Sequence, residues 1–237
     1  MISHPSKHFL NKFRTALVIA AVIFAAGLVP LSARAQFLHP KVVKKETTIR
    51  NVVVLPAKVE IVRDSMKGPE GMAAESEMVS DRVAKLVSDA LSKKQVGTLG
   101  GPVSGSGEGD SQQKYNVADI QSRYDDLLPK IMKKRSDVKK ARFTMGDEVL
   151  NLNLDKNADA IVFIRGKGQK QTSGKTAFRM LVGGAPAYLM INIAIIDART
   201  GEVLLYTDGV ITGDPTENEG SLRHSITKSL KKLPPAS

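Results

Sequence analysis

The chain has 237 residues, with 35 Lys+Arg against 24 Asp+Glu, a net charge of +11 and a pI of 9.8. It contains no cysteine, which excludes disulfide stapling and leaves no thiol to carry a lipid. The composition, 42% hydrophobic and 25% charged, is that of a globular protein poor in aromatics.

The N-terminal segment comes first. Met1–Arg14 carries Lys7, Lys12 and Arg14 and no acid, and Ala16–Leu31 is a sixteen-residue run without a charge. Ser32-Ala33-Arg34-Ala35 follows, with small residues at Ala33 and Ala35. This is the layout of a secretory signal peptide cleaved after Ala35. The run is shorter than the roughly 20 residues a spanning helix needs. The expected mature chain starts at Gln36, carries a net charge of +7, and is soluble in the periplasm or outside the cell, with no membrane span and no lipid anchor.

Residues 36–48 read as a mobile basic lead-in. A single α/β domain is expected over 49–233, with a Gly/Ser-rich loop at 97–113 and a tail at 234–237. Ile49–Leu55 (IRNVVVL) is β-branched and reads as a buried strand stopped by Pro56, and Lys58–Val62 alternates as its partner. Gly68-Pro69-Glu70 is expected to open a helix, whose stripe is Val79, Val83, Leu86, Val87, Ala90 and Leu91. Gly97–Gln113 has six glycines in 17 residues and reads as a loop. Asn116–Arg135 returns to helix, with Ile120, Tyr124, Leu127, Leu128 and Ile131 on one face and Pro129 inside as a kink or restart. Phe143–Leu154 favours a short helix over a strand. Ala158–Arg165 is a second buried strand, and Gly166–Thr176 a polar, basic loop. Ala187–Asp197 and Glu202–Val210 form a hairpin across Ala198–Gly201. Asp214 is expected to N-cap a last helix with the stripe Leu222, Ile226, Leu230 and Leu233. The sum is an α/β sandwich: a mixed sheet with a C-terminal hairpin and helices packed on it.

Three of these pieces carry a resemblance: NVVVLP with SDRVAKLVSDAL, the entry Asn157–Val162, and the hairpin Ile196–Leu204 with its Asp197-Ala198-Arg199-Thr200-Gly201-Glu202 turn. Together they resemble the small α/β envelope domain shared by the CsgG family and the amino-terminal domain of TolB. The resemblance implies a non-enzymatic role in envelope assembly or scaffolding, and carries no catalytic residue over. This chain departs from many relatives in lacking a lipidation cysteine.

Enzyme patterns are each incomplete. Gly168–Thr176 ends in GKT but has five residues between Gly and GK where a P-loop has four, and no amphipathic helix follows. Asp197 at the end of IAIID suits a turn as well as a metal. His39 and His224 lack metal-ligand spacing. Ser111 lies in the Gly-rich loop rather than on a strand-to-helix elbow. Ser136…Lys139 and Ser225…Lys228 fit S-x-x-K without its companion motifs. Asp125-Asp126 and Asp208/Asp214 have no apolar pocket to set them apart in pKa. No cofactor, nucleotide or metal is expected, and an exported hydrolase with an unrecognised Ser/Asp-based site remains the alternative.

Two basic runs stand out. One is Lys130, Lys133, Lys134, Arg135, Lys139, Lys140 and Arg142, with a single acid, Asp137, among them. The other is Arg165, Lys167, Lys170, Lys175 and Arg179, with no acid between Asp159 and Asp197. As docking cations they fit an acidic envelope protein or an anionic envelope surface. Nucleic acid fits less well, because no aromatics interleave to stack bases. The oligomeric state stays open.

Overall fold

The longest β-branched runs of the chain meet in one mixed sheet. The computed structural model describes residues 36–65, 67–99, 117–145, 157–171 and 187–236. Among these residues the sheet has eight strands: β1 (Gln36–Leu38), β2 (Asn51–Val54), β3 (Lys58–Ser65), β4 (Gly68–Gly71), β5 (Gly97–Thr98), β6 (Ala160–Gln171), β7 (Tyr188–Asp197) and β8 (Val203–Thr212). Five helices accompany it: α1 (Pro40–Val43), α2 (Ala73–Ser92), α3 (Val117–Lys133), α4 (Arg135–Lys139) and α5 (Glu219–Ser229). All of them fall in one compact unit, Arg34–Ser237.

The sheet order is β1-β8-β7-β6-β2-β5, with β3 also beside β6 and β4 beside β3. β2 and β3 run in succession along the same side of β6, both parallel to it. Pro56, which cannot donate a ladder hydrogen bond, lies in the gap between them. On its other side β6 pairs antiparallel with β7, and β7 with β8.

Strand alternation divides the core in two. Ala160, Val162 and Ile164 of β6 join Val79, Val83 and Val87 of α2 and Leu222 and Ile226 of α5 in one buried cluster. Ile161 and Phe163 face the other way, onto Tyr124, Leu127 and Ile131 of α3 and Val138 of α4. The architecture is a three-layer α/β sandwich around an open mixed sheet, the fold class expected from the sequence.

Several expected elements take another form. Residues 36–43 form β1 and α1 rather than an irregular lead-in, and β1 pairs with β8. Gly68–Gly71 is an edge strand; Pro69 sits opposite Asp64, and α2 starts only at Ala73. An edge tolerates the missing N–H of proline. The expected basic loop is strand as far as Gln171. Gly166 and Gly168 lie against Val59, Ile61 and Leu189, and a Cβ on Gly168 would meet the Ile61 Cδ1 at 2.5 Å. Helix α5 is capped by Asn218, whose side chain accepts from the Ser221 N–H at 3.0 Å. Asp214 instead closes a turn, accepting from the Thr216 N–H at 2.8 Å. Helix α3 continues past Pro129, and the break before α4 falls at Lys134. The expected helix over 143–154, most of the 97–113 loop, Ser111, Lys175 and Arg179 lie largely or wholly outside the described residues.

Candidate docking face

Helix α3 owes its position to what lies beneath it. The Tyr124 ring stacks on Phe163 with centroids 4.1 Å apart, and its hydroxyl donates to the Asn192 Oδ1 at 2.7 Å. The Gln121 Nε2 donates to the Pro56 carbonyl at 2.6 Å. Arg165 projects from β6 toward the same helix. Its Nε donates to the Asp125 Oδ1, its Nη2 to the Gln121 carbonyl, and its guanidinium lies 5.1 Å from the Tyr124 ring centroid. Lys58 reaches the other Asp125 oxygen at 3.0 Å. Burial pushes the Asp125 carboxyl up, but Arg165 and Lys58 outweigh it and hold the group below the usual carboxylate range. Burial pushes the Tyr124 phenol well up, keeping it a neutral donor.

The outer side of this layer is different. Lys130, Lys133 and Lys134 follow one another at helical i, i+3, i+4 spacing at the end of α3 and are exposed. Lys139, Lys140 and Arg142, at and just beyond the end of α4, are exposed too. Val138, 3% exposed, pins α4 into the same cluster as Phe37 of β1. Ala141, at φ 55°, ends the helix, and the Arg142 N–H donates back to the Asp137 carbonyl at 2.8 Å. Six exposed cations thus lie between Lys130 and Arg142, from the end of α3 to just past α4, and none of the six enters an ion pair among the described residues. Arg135 opens α4 between the two groups.

The second basic run does not join this face as a set of free charges. Arg165 is 8% exposed and committed to Asp125. Lys170 bonds Asp214 at 2.8 Å and the Thr216 hydroxyl at 2.9 Å. Burial raises the Asp214 carboxyl, while Lys170 and Thr216 more than offset this and hold it low. Lys167 is exposed, 4.0 Å from Glu60.

The enzyme-like residues have structural partners. Asp197 accepts from the Arg199 and Thr200 N–H groups, both at 2.8 Å, and so closes the β7–β8 turn. Ser225 is buried in α5, and His224 is exposed. No group of three or more His, Cys, Asp or Glu side chains suited to a metal occurs among the described residues. No described helix is long and apolar enough to cross a membrane.

Sequence reasoning missed His39. It is 3% exposed, its Nδ1 accepts from the Lys41 N–H at 3.1 Å, and its buried Nε2 has no hydrogen-bond partner among the described residues. Burial holds its pKa below the ordinary histidine value, against the pull of Glu202. The only hint in the sequence is its place before Pro40, a common first residue of a helix.

No family model and no curated protein matches this chain. Among solved structures it is similar to the PelC dodecamer from Paraburkholderia phytofirmans, at 12% identity over 87% of this chain and 99% of that one, with a TM-score of 0.40. It is also similar to lipoprotein GNA1162 from Neisseria meningitidis, at 14% identity over 77% of this chain and 96% of that one, with a TM-score of 0.33.

Proposed function

We propose that this is an exported, non-enzymatic binding or scaffold protein of the cell envelope, which docks on an anionic envelope surface through α3 and α4. The observation that carries the reading is the set of six exposed cations with no ion pair among the described residues, Lys130, Lys133, Lys134, Lys139, Lys140 and Arg142. They stand on a layer whose inner side is locked to the sheet by Tyr124, Asp125 and Arg165. A fixed cluster of like charges raises the stability cost of the fold slightly and attracts counter-charge strongly. The compartment in this reading rests on the leader expected from the sequence, and the resemblance to CsgG and TolB amino-terminal domains supports the same envelope setting. Five of the six are lysines, compact point charges suited to a diffuse anionic surface rather than to bidentate recognition of a single group.

Co-sedimentation of the exported protein with vesicles of anionic phospholipid tests the reading. Binding is expected to weaken steeply as salt rises through about 0.15 M, where the screening length is about 8 Å. Binding that ignores salt, or that survives Lys130→Glu, Lys133→Glu and Lys134→Glu together, overturns it.

A further inference from the structure

The end of the sheet where β2 and β6 begin and β7 finishes is ringed with cations. Backbone bonds stitch that end together. The Gly97 N–H, just after α2, donates to the Arg50 carbonyl at 2.7 Å, and the Ala198 N–H to the Asp159 carbonyl at 2.9 Å. The Ala236 N–H, beyond α5, donates to the Lys94 carbonyl at 2.9 Å. Arg50, Lys93, Arg199, Lys231 and Lys232 therefore share one end of the molecule, and all five are exposed. Arg199 stands 4.0 Å from Asp159. The acids here are engaged: Asp159 accepts from the Arg50 and Asn51 N–H groups at 2.9 and 3.0 Å, and Glu202 bonds Lys41 at 2.9 Å. Lysines after α2 and α5 complement the negative ends of those helices, but Arg50 and Arg199 follow a loop and a hairpin turn and have no helix to complement. The Met145 N–H donates to the Gly201 carbonyl at 2.8 Å, so Arg142 of the α3–α4 set lies at the corner where that face meets this end.

One segment crosses the same end. β1 runs along β8 to His39, and the next strand, β2, lies beyond β7 and β6 in the sheet. Residues 40–50 cover that distance past the strand ends, with Val42 and Ile49 buried in the core cluster. Val43 is 61% exposed, more than any other large hydrophobic among the described residues. Lys44 and Lys45 follow it, both exposed, and Glu46 lies 3.9 Å from Lys44. The opposite end of the molecule, where α2 and α5 begin, has the other sign. Glu70, Glu77 and Glu217 are exposed there beside Arg63 and Lys67, while Lys170 and Arg223 are paired with Asp214 and Glu219.

We propose that this end seats on an anionic phospholipid surface, with the strands standing on the membrane and Val43 entering the headgroup layer. Cations alone would suit an acidic protein equally well. An apolar tip rising among lysines suits a bilayer interface, where apolar groups sink below the headgroups and lysines stay with the phosphates. The charge separation along the molecule favours the same orientation, since it holds the acids of the far end away from the anionic surface. The inference deepens the docking reading and rests on it. It names the surface as lipid and carries the contact from α3–α4 round Arg142 onto the strand ends.

The chain has no tryptophan, so Val43→Trp in the exported protein is a single fluorescent reporter. The probe is a vesicle of mixed phosphatidylglycerol and phosphatidylcholine, with or without bromine on the acyl chains. On binding, the Val43→Trp emission is expected to shift to the blue and to be quenched by the brominated chains. Met190→Trp, an exposed position near the far end of β7, should do neither. Lys44→Glu, Lys231→Glu and Lys232→Glu together should weaken binding about a hundredfold, with unchanged circular dichroism. A bound protein whose Val43→Trp emission neither shifts nor is quenched overturns the seating, and so does binding untouched by these three reversals. If binding then still falls with salt and with Lys130→Glu, Lys133→Glu and Lys134→Glu, the α3–α4 face stands without the strand ends. Binding that is lost with the end reversals yet survives those on α3 upholds the seating and overturns the α3–α4 face. An unaltered protein that ignores the vesicles overturns both.

Discussion

The two basic runs look alike as sequence and are opposites as structure. Lys130–Arg142 keeps six of its cations exposed, with no ion pair among the described residues, on a layer pinned from below. Along β6, Arg165 is buried against Asp125, Lys170 bonds Asp214, and only Lys167 stays in solvent, beside Glu60. Cations of the first kind cost the fold little and are available to a partner. Those of the second kind hold elements together and are not. The difference lies in carboxylates far away in sequence: Asp125 precedes Arg165 by 40 residues.

The largest expected effect comes from breaking the second kind. Asp125→Ala leaves the Arg165 guanidinium buried without its carboxylate, a change that costs about 3–5 kcal/mol for a fully buried pair. Asp125 is one-third exposed and the Gln121 and Ile164 carbonyls still accept, so about 2–3 kcal/mol is expected. Arg165→Met, which removes the charge itself, is expected to cost less. Urea midpoints decide it; if Arg165→Met is the more damaging, the guanidinium contributes more by packing on Tyr124 than by pairing. Tyr124→Phe comes next, since it strips the donor from the Asn192 Oδ1, at about 1–2 kcal/mol.

The hairpin, the helices and both core faces are legible in the sequence because each repeats one chemical signal. Ile193, Ile195 and Leu205 are β-branched or aliphatic at strand spacing, and Val79, Val83 and Leu86 recur at helical spacing. The second half of β6 is not legible. Its residues Gly166–Gln171 are polar or lack a side chain, and it is strand because β3 and β7 supply ladder bonds on both sides. β4 is hidden for a related reason: Gly68-Pro69-Glu70-Gly71 has turn composition, and only its pairing with β3 extends it. The docking cations of the first run are legible as charge, but their availability is a tertiary property. His39 carries no local signal of burial, because the groups around it, Glu202 and Asp197, belong to the distant hairpin.

Acid separates these groups by pH. The folded pKa of His39 is depressed, so its contribution is full above the unfolded value of about 6.5 and is lost as pH falls through the folded one. Glu202, Asp197 and Glu46 oppose that loss and Lys41 adds to it. Protonation places a proton on the Nδ1 that accepts from the Lys41 N–H, so about 1 kcal/mol of cap is at stake. Asp125, Asp214 and Glu202 are also depressed; their contributions hold above about pH 4 and disappear below it. The stability curve is therefore expected to fall in two steps. His39→Asn, which keeps a capping acceptor, should abolish the upper step and leave the lower one; an upper step that persists assigns it elsewhere.

The smallest effect on stability should accompany the largest on binding. Lys130→Glu, Lys133→Glu and Lys134→Glu together touch only exposed side chains, and each is expected to shift stability by within about 0.5 kcal/mol. Each also turns a cation into an anion on the proposed docking face, so three reversals lower its charge by six and should reduce the salt dependence of vesicle binding along with its strength. Lys167→Glu changes an exposed lysine of the other run, but Glu60 lies 4.0 Å from it, and β6 does not belong to the α3–α4 layer. Its reversal should leave vesicle binding close to that of the unaltered chain. If Lys167→Glu weakens binding as much as the three α3 reversals do, net charge rather than a face governs attraction, and the distinction between the two runs ends at the buried pairs.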